Sequence, residues 1–572
     1  MFRKNSDHTQ MDVFEYDLYD THQLRKMVEQ TEEYAFYKLI FCQIDETLFS
    51  ALYCEDNGRP NSPVNAMLSA LILKERRDWS YRELFKQLHF NLAVRSAIGL
   101  FQLGSVPFNE ATLFNFQNRL KDHYFQTGIN LFESAFDSLT KKQLSRLKLK
   151  TNIARTDSFM INSNIRQYGR LQLLLEVILR LYHKLSESGQ TLFRQEYEKY
   201  TEQSSELYLY NLKGSDLPHE FEKVTEMYYW LHSHPDKSYS DIREYRVFQR
   251  VYEEHFKLNG SDKLELIPSA EMKSDSLQSP DDEDATYRSK RGEDYHGYSG
   301  NVVETCHPDN PVDLIVDVAT RPNNVDDSVI LHERLDNLTK KLPDLEEFHF
   351  DGAYGSEAND EVFEEKGITP VQTAVRGQEA AVEMEIEETG SEEFQVTCPG
   401  SQTVKSEPTK TRYKALFDKK ICSSCPYSSC CPTIEQKGCR TFYFSRQDYL
   451  RKSRHRQILK LPPERSRLRS NVEATIFEFV QGTRSHKLKV RGIFKASLFV
   501  FSKAIGINFG RIFRNMKSES ARNGCFSFFR YAKTLFKAFW DCFGVVSGFS
   551  NTILALRRNK EIPLCLCKKS SC

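Results

Sequence analysis

The chain has 572 residues, of which 40% are hydrophobic and 28% are charged, as in a globular protein, so disorder along its whole length is not expected. This length predicts roughly three or four domains and excludes a small scaffold that depends on disulfides. The sequence contains no run of 18 uncharged apolar residues and no signal-peptide core at its start. We therefore expect a cytoplasmic protein that does not span a membrane.

The net charge of zero conceals an uneven distribution of charge along the chain. Residues 440–572 contain 28 Lys and Arg against 7 Asp and Glu, a net charge of +21, which leaves −21 for the first 439 residues. A region this basic favours a polyanionic partner, because neutralising phosphates releases their condensed counterions. The alternative is a helical surface whose basic side chains are only solvated.

Residues 1–148 are predicted to form a helical domain. Three helix starts occur there: Ser62-Pro63, the Ser-x-x-Glu capping box of Ser80 and Glu83, and Asn109 to Thr112. Short helices with basic residues between them are typical of a helix-turn-helix that reads DNA. A plain helical bundle that docks on the rest of the chain is the alternative.

A first strand is predicted within residues 149–165, from Lys150 to Ser158, with Asp157 at its end. Residues 166–290 have the leucine periodicity of helices and an acidic, serine-rich stretch around Asp275 to Asp284, which together indicate an inserted helical segment.

Residues 291–376 change to the period of strands and then alternate between strands and helices. The predicted elements are a hairpin of Tyr298–Thr305 and Val312–Thr320, a helix capped by Asp326 or Asp327 that ends near Leu342, a strand from Leu345 to Phe350, a helix from Glu357 to Lys366 and a strand from Ile368 to Ala374. This succession predicts an α/β fold with one antiparallel portion.

The remaining residues divide into three segments. An acidic loop (Glu379, Glu383, Glu385, Glu387, Glu388, Glu392 and Glu393) leads into a cysteine cluster within residues 377–458. Residues 459–511 are predicted to be helical, with one helix from Ser466 to Gly482. In the basic, aromatic tail of residues 512–572, Arg530, Lys533 and Lys537 recur on one helical face. That helix is either a core helix with a solvated side or one that lies on DNA or on a membrane surface.

Three acidic residues, Asp157, Asp351 and Glu473, occur in the local contexts that a metal-dependent nuclease needs. Asp157 and Asp351 end predicted strands, where side chains project into a crevice that ligands occupy. A helix packed beside that sheet would present Glu473, with Arg469 one turn earlier on the same face. Three carboxylates suit two Mg²⁺ ions and phosphodiester chemistry on nucleic acid. Each acid taken alone is more often a turn or helix cap.

The motifs around these acids resemble those of DDE-type insertion-sequence transposases. The matching segments are Ser80-Tyr81-Arg82-Glu83-Leu84, Thr156-Asp157-Ser158 with Asn162 and Asn164, Asp284-Ala285-Thr286 with Gly297-Tyr298, Asp351-Gly352-Ala353-Tyr354, Arg469-x-x-x-Glu473, and Asn508-x-x-Arg511. The likeness covers about residues 15 to 511, with the motifs in the family's order. It implies an RNase H-like mixed sheet flanked by helices, an amino-terminal helical domain and inserted segments.

The resemblance also implies a reaction in two steps at one site. Hydrolysis of the phosphodiester at the element's end frees a 3′-hydroxyl, and that hydroxyl then attacks target DNA. Asp157 would bridge two Mg²⁺ or Mn²⁺ ions, Asp351 and Glu473 would each bind one, and Arg469 would bind phosphate oxygens. Further phosphate or DNA contacts are expected from Arg484, Lys487, Lys489 and Arg491.

The partners that the resemblance implies are the element's terminal repeats and target DNA, held by a homodimer in a synaptic complex associated with the nucleoid. Two alternatives are a transposase-derived DNA-binding protein without activity and a Mg²⁺ endonuclease that does not join strands.

The cysteine cluster contains the spacing of a zinc hook. Cys422-x-x-Cys425 places two thiolates within reach of one tetrahedral ion, and Cys398 and Cys431 complete a plausible set of four ligands. Such a Zn²⁺ would be structural, because a site saturated with thiolates has no open position for catalysis. Free thiols are the alternative.

Overall fold

In the computed structural model of the chain, the described residues are 1–9, 22–101, 106–233, 239–260, 263–373, 382–390, 393–460 and 462–522. The chain divides into two compact units, Met1–Arg511 and Ile512–Cys572. Of the second unit only residues 512–522 are described, so the tail residues Arg530, Lys533 and Lys537 lie outside the described part. The first unit is a mixed α/β structure, as the sequence predicted.

The amino-terminal segment is helical. Its helices are α1 (His22–Glu29), α2 (Glu32–Leu39), α3 (Val64–Arg76), α4 (Tyr81–Phe90), α5 (Leu92–Ala97), α6 (Glu110–Thr127) and α7 (Leu131–Leu147). The predicted starts of α4 and α6 are confirmed, since Ser80 Oγ accepts from Glu83 N and Asn109 Oδ1 accepts from Thr112 N. α3 begins one residue later than a cap at Ser62 would place it, because Pro63 is its N-cap residue and the Ser62 hydroxyl donates to Pro107 O, 3.2 Å away.

Strand β1 (Ile153–Asn162) leads into a helical segment with a core of its own. This segment contains α8 (Arg170–Tyr182), α9 (Glu187–Thr201), α10 (Ser205–Tyr210), α11 (Leu217–Ser233), α12 (Arg243–His255) and the two-stranded sheet of β2 (Phe256–Leu258) and β3 (Leu264–Leu266). Its core contains Leu174, Phe193 and the stacked rings of Tyr228 and Phe248, whose centroids are 4.9 Å apart. The helical periodicity of this region thus reflects a separate apolar core.

The central sheet is assembled from strands on both sides of that helical segment. Its remaining strands are β4 (Thr286–Lys290), β5 (Glu293–Thr305), β6 (Ile315–Pro322), β7 (Glu347–Phe350) and β8 (Thr369–Gln372), with helices α13 (Asp327–Lys341) and α14 (Glu357–Glu365) between the later strands. β5 pairs antiparallel with β1 on one side and with β4 and β6 on the other. β1, β7 and β8 run parallel. The predicted hairpin and the α/β succession are therefore confirmed.

The first strand differs from its prediction. β1 extends from residue 153 to residue 162, so Asp157 lies in its middle and not at its end. The reason is tertiary, since β5 pairs with β1 from Ala154 through Asn162 and extends it beyond the segment that local sequence defines.

A second sheet of six antiparallel strands forms from the cysteine-bearing region. It comprises β9 (Glu385–Gly390), β10 (Glu393–Thr397), β11 (Thr403–Pro408), β12 (Tyr413–Asp418), β13 (Ile434–Glu435) and β14 (Cys439–Phe444), with helix α15 (Lys419–Ser423) after β12 and helix α16 (Arg446–Lys460) after β14. The predicted acidic loop is wrong where β9 lies, because Ile386 is buried between the exposed Glu385 and Glu387 in the alternation of a strand.

Two short helices replace the single one predicted from Ser466 to Gly482. α17 (Pro463–Ser470) and α18 (Val472–Val480) meet at Asn471, whose φ of −65° and ψ of −19° keep a helical direction. α18 packs on β1, where Phe479 stacks on Phe159 with a centroid distance of 4.9 Å. α19 (Ile493–Arg522) follows and continues into the second unit.

Among the described residues, one helix has the length and apolar composition of a membrane span. It covers Ile493–Glu519, and 83% of its apolar window is buried inside the protein. Burial to that extent is also typical of the core helix of a protein that crosses no membrane.

A buried ion cluster joins the amino-terminal helices to the central sheet. Asp317 of β6 is fully buried and accepts from Arg334 Nε at 2.9 Å and from Lys341 Nζ at 2.7 Å. The same two cations reach α7, where Arg334 pairs with Glu133 at 2.6 Å and Lys341 with Asp137 at 2.7 Å. Two cations of α13 thus pair with one acid of β6 and two acids of α7 within one cluster.

A second buried carboxylate, Glu304 of β5, connects the sheet to the last helices. It is fully buried and contacts Arg155 of β1 at 2.6 Å. Its other oxygen accepts from Thr475 Oγ1 of α18 and from Arg511 Nη1 of α19, each at 2.7 Å. Arg155 also donates to Leu468 O of α17 at 2.7 Å. One side chain therefore holds β1, α18 and α19 together.

Replacing Glu304 by Gln should destabilise the protein by about 3–5 kcal/mol, because Arg155 and Arg511 would lose their fully buried counter-charge and keep only the partly exposed Asp313 and Glu478. Urea denaturation followed by circular dichroism measures this change. Asp309→Asn is the control: it removes a surface pair with Lys150 in which both side chains are more than half exposed, and we expect a loss of less than about 1 kcal/mol. Equal losses in the two variants would contradict the assigned role of Glu304.

Candidate functional site

The three predicted acidic residues surround one guanidinium group. Arg469 Nη2 lies 2.6 Å from Asp157 Oδ2 and 3.8 Å from Asp351 Oδ2, and Nη1 lies 3.9 Å from Glu473 Oε1. The acids come from β1, from the residue after β7 and from the first turn of α18. The fold therefore brings together side chains that are 194 and 122 residues apart in the sequence.

Strand register explains why the two aspartates meet. β1 and β7 are parallel neighbours with Arg155 paired to His349. Both aspartates follow that pair by two residues along their chains, so this register brings Asp157 of β1 to the same end of the sheet as Asp351, the residue after β7. Backbone N–H groups orient both carboxylates: Ser158 N donates to Asp157 Oδ1 and Ala353 N to Asp351 Oδ1, each at 2.8 Å.

The two aspartates differ in their surroundings. Asp157 is only 8% exposed, and burial raises its pKa above the usual value. The Arg469 charge and the Ser158 N–H lower that pKa, and the negative charge of Asp351 raises it further. The Asp351 side chain is 34% exposed and that of Glu473 is 71% exposed. The cluster thus opens from a buried floor at Asp157 to solvent at Glu473.

A fourth acid, Asp327 in the first turn of α13, lies near the cluster and was missed as a site residue from the sequence. It is 2% exposed, and its Oδ1 has no hydrogen-bond partner among the described residues. Burial raises its pKa, a hydrogen bond with Ser158 opposes the rise, and the charge of Asp351 adds to it. The signal was present in the Asp326-Asp327 pair, since Asp326 alone makes the cap by accepting from Ser328 N.

The cations predicted to bind DNA beyond Arg469 make contacts within the protein. Lys487 Nζ donates to Ile165 O at 2.7 Å, Lys489 Nζ donates to Asp78 O, and Arg491 Nε donates to Asn164 O at 2.7 Å. Both lysines line a cavity of about 370 Å³ between α3 and α19. Arg484 lies in the segment between α18 and α19. Within the described part of the chain, Lys487, Lys489 and Arg491 form no ion pair with the three acids, whose partner is Arg469.

The four cysteines predicted as zinc ligands line one cavity of about 200 Å³ in the second sheet: Cys398, Cys422, Cys425 and Cys431. A Cβ atom added to Gly400 would lie 3.2 Å from Cys425 Sγ and 3.6 Å from Cys398 Sγ. Gln402 Nε2 donates to Cys422 Sγ at 3.3 Å. Within the described ranges, no group of three or more His, Cys, Asp or Glu side chains has the positions of a preformed metal site, and the four cysteines form no disulfide.

Comparison with known families finds two matches. The family model described as "Transposase domain (DUF772)" matches residues 22–119, and the model described as "Transposase DDE domain" matches residues 397–513. The second match contains Arg469, Glu473 and the four cysteines, whereas Asp157 and Asp351 lie outside both. The curated proteins and the solved structures give no match. Together the two family matches support the assignment of the chain to the insertion-sequence transposases of the DDE type, the family that its motifs resemble.

Proposed function

We propose that the protein cleaves the ends of an insertion sequence and joins them to target DNA, with Asp157, Asp351 and Glu473 as the catalytic carboxylates. The observation that carries this proposal is the contact of all three acids with the single guanidinium of Arg469, at 2.6, 3.8 and 3.9 Å. Three carboxylates from distant segments repel one another unless cations lie between them. Their convergence on one guanidinium therefore indicates a site that binds cations.

The donor set fits divalent cations. Carboxylate oxygens are the ligands that Mg²⁺ and Mn²⁺ prefer, and the buried, unpartnered Oδ1 of Asp327 adds a further oxygen beside the three acids. Asp157, Asp351 and Glu473 would hold the ions, which supply charge neutralisation at the attacking and leaving oxygens of the phosphate. We propose Asp327 as an additional acid that increases the negative potential of the site.

Arg469 has a second task in this proposal. The guanidinium neutralises the acids while no other cation is bound, and its planar fork suits phosphate oxygens. When divalent ions neutralise the carboxylates, Arg469 can bind a non-bridging oxygen of the scissile phosphate. That contact would hold the phosphate over Asp157 and counter the charge that builds up on it as the bond breaks.

The fold supports the assignment to an RNase H-like core. β5 pairs antiparallel with β1, β4 and β6, and β7 and β8 continue the sheet from β1 as parallel strands. Helices follow β6 and β7. In this proposal residues 1–148 bind DNA or dock on the core, and two copies of the chain hold the two element ends in the cytoplasm, at the nucleoid.

We also propose a structural Zn²⁺ held by the thiolates of Cys398, Cys422, Cys425 and Cys431. The close approach of two sulfurs to the Cβ position of Gly400 supports it, because a side chain there would occupy the space between them. A bound ion would tie the turn after β10 to the segment around α15.

Asp157→Asn should abolish detectable cleavage of DNA that carries the element's ends, because the site loses a charged ligand of the ions, and should leave DNA binding unchanged. Gel assays with end-labelled DNA measure cleavage, strand joining and binding on the same samples. Asp309→Asn, an exposed acid outside the cluster, is the control and should cleave like the wild type. Cleavage without joining in the wild type would favour an endonuclease, and binding without cleavage in Mg²⁺ or Mn²⁺ would favour an inactive DNA-binding protein.

Mn²⁺ should raise the melting temperature of the wild type, since a ligand at 100 times its Kd stabilises the folded state by about 2.7 kcal/mol. Glu473→Gln should reduce this shift, and Asp309→Asn should keep it. Because burial raises the pKa of Asp157, protons compete with the ion, and the shift should shrink as the pH falls. Differential scanning calorimetry gives these shifts without any assay of activity. A shift of equal size in Glu473→Gln would exclude Glu473 as a ligand.

The purified protein should contain one equivalent of zinc by mass spectrometry of its metal content. Cys422→Ser should lose the metal, because three thiolates and a hydroxyl bind Zn²⁺ more weakly. Cys430→Ser is the matched control: Cys430 is an exposed neighbour that does not line the cysteine cavity, and its variant should retain the metal. Zinc at the same level in both variants would contradict the proposed ligand set.

A further inference from the structure

We propose that Phe477 is a stacking platform for an unpaired DNA base next to the reacting phosphate. The inference rests on the proposed function of the carboxylate cluster and assigns to that site a contact with the base as well as with the backbone. Phe477 lies on α18, and its residue surface is 64% exposed.

The outward direction of Phe477 is imposed by the packing of α18. The opposite face of the helix is buried through Val472, Thr475 and Phe479. Phe479 stacks on Phe159 of β1, and Thr475 Oγ1 donates to the buried Glu304. Since these contacts fix the rotation of α18 about its axis, the side that carries Phe477 faces solvent.

Phe477 also lies directly beside the proposed chemistry. Glu473 precedes it by four residues within α18, so these two side chains lie about 5–6 Å apart on one face of that helix. Arg469 lies at the end of the preceding helix, α17, and its Nη1 is 3.9 Å from Glu473 Oε1. A phosphate held at the acids therefore has its neighbouring nucleotide within reach of the Phe477 ring.

The surface that leads to Phe477 has one cation at its start and small side chains after it. Arg467, Ser470 and Ala474 are all exposed and lie on the approach to Phe477. Because α17 and α18 meet at Asn471 in a helical direction, the ten residues from Arg467 to Phe477 span at most about 15 Å, the length of roughly four nucleotides of one strand. A strand could thus place a backbone phosphate at Arg467, pass over the small residues and lay a base on Phe477.

An aromatic ring suits this occupant because every base has a π-face, so stacking secures the strand whatever its sequence. A base must leave its partner to stack, and this is easiest at the end of a duplex or beside a nick. Phe477 would consequently favour DNA whose reacting end is frayed or already cut, which is the product of the first step and the substrate of the second.

The test uses Asp157→Asn protein, so that binding is observed without cleavage, and short duplexes taken from the DNA that flanks the gene. 2-Aminopurine replaces each of the last bases of either strand in turn. We expect quenching of its fluorescence at one position near the reacting end, loss of that quenching with Phe477→Ala, and its recovery with Phe477→Trp. The matched control is Tyr210→Ala, which removes an 87% exposed aromatic of α10 and should keep the quenching.

A duplex that lacks the base at that position separates stacking from a structural effect. Phe477→Ala should weaken binding to the intact duplex by about 5- to 150-fold and should bind the abasic duplex as the unsubstituted protein does. A penalty that persists on the abasic duplex, or no penalty on either, overturns the proposal. If quenching occurs but the protein with Asp157 intact never cleaves DNA, the proposed function fails while the stacking role stands.

Discussion

The fully buried carboxylate of Glu304 is the interaction on which the arrangement of the site depends. It binds Arg155 of β1, Thr475 of α18 and Arg511 of α19 at 2.6 to 2.7 Å. Moving any of these elements away from Glu304 would leave a buried charge without its partner, which is strongly destabilising. The network therefore holds the three elements in one arrangement. Because Arg155 is two residues before Asp157 and Thr475 two after Glu473, that geometry also sets the distance between the strand acid and the helix acid.

The site follows from this constraint together with the register of the sheet. The parallel pairing of β1 and β7 brings Asp157 and Asp351 to the same end of the sheet, and α18, which packs on β1, carries Glu473. Arg155 also holds the carbonyl of Leu468, the residue before Arg469, so the network positions the guanidinium as well as the acids. Desolvation raises the pKa of Asp157, and the cation beside it offsets this effect. The acids are therefore kept near one another by structure that lies outside them.

The sequence predicted the elements of the central sheet well, because period and cap residues are local properties. Asp326, Asn109 and Ser80 each cap the helix that was predicted after them. The errors arose where distant segments decide the outcome. The extent of β1 depends on pairing with β5, and β9 depends on pairing with β10. Asp327 was missed because the sequence does not decide which residue of the Asp326-Asp327 pair makes the cap, and only the folded structure shows that Asp327 is the buried one. The cysteines were found by spacing, and their common cavity depends on the second sheet.

The ion cluster around Asp317 bears on the distance along DNA between a bound sequence and the bond that would be cut. Its cations, Arg334 and Lys341, neutralise acids of the sheet and of α7 together, and Met1–Arg511 form one compact unit. A DNA-binding domain joined by a flexible linker would allow cleavage at varying distances from the bound sequence. In the proposed DNA-binding role, helices held to the sheet by buried charge would keep a constant distance from the carboxylates, so the dimensions of the protein would fix the offset between the recognised base pairs and the broken bond.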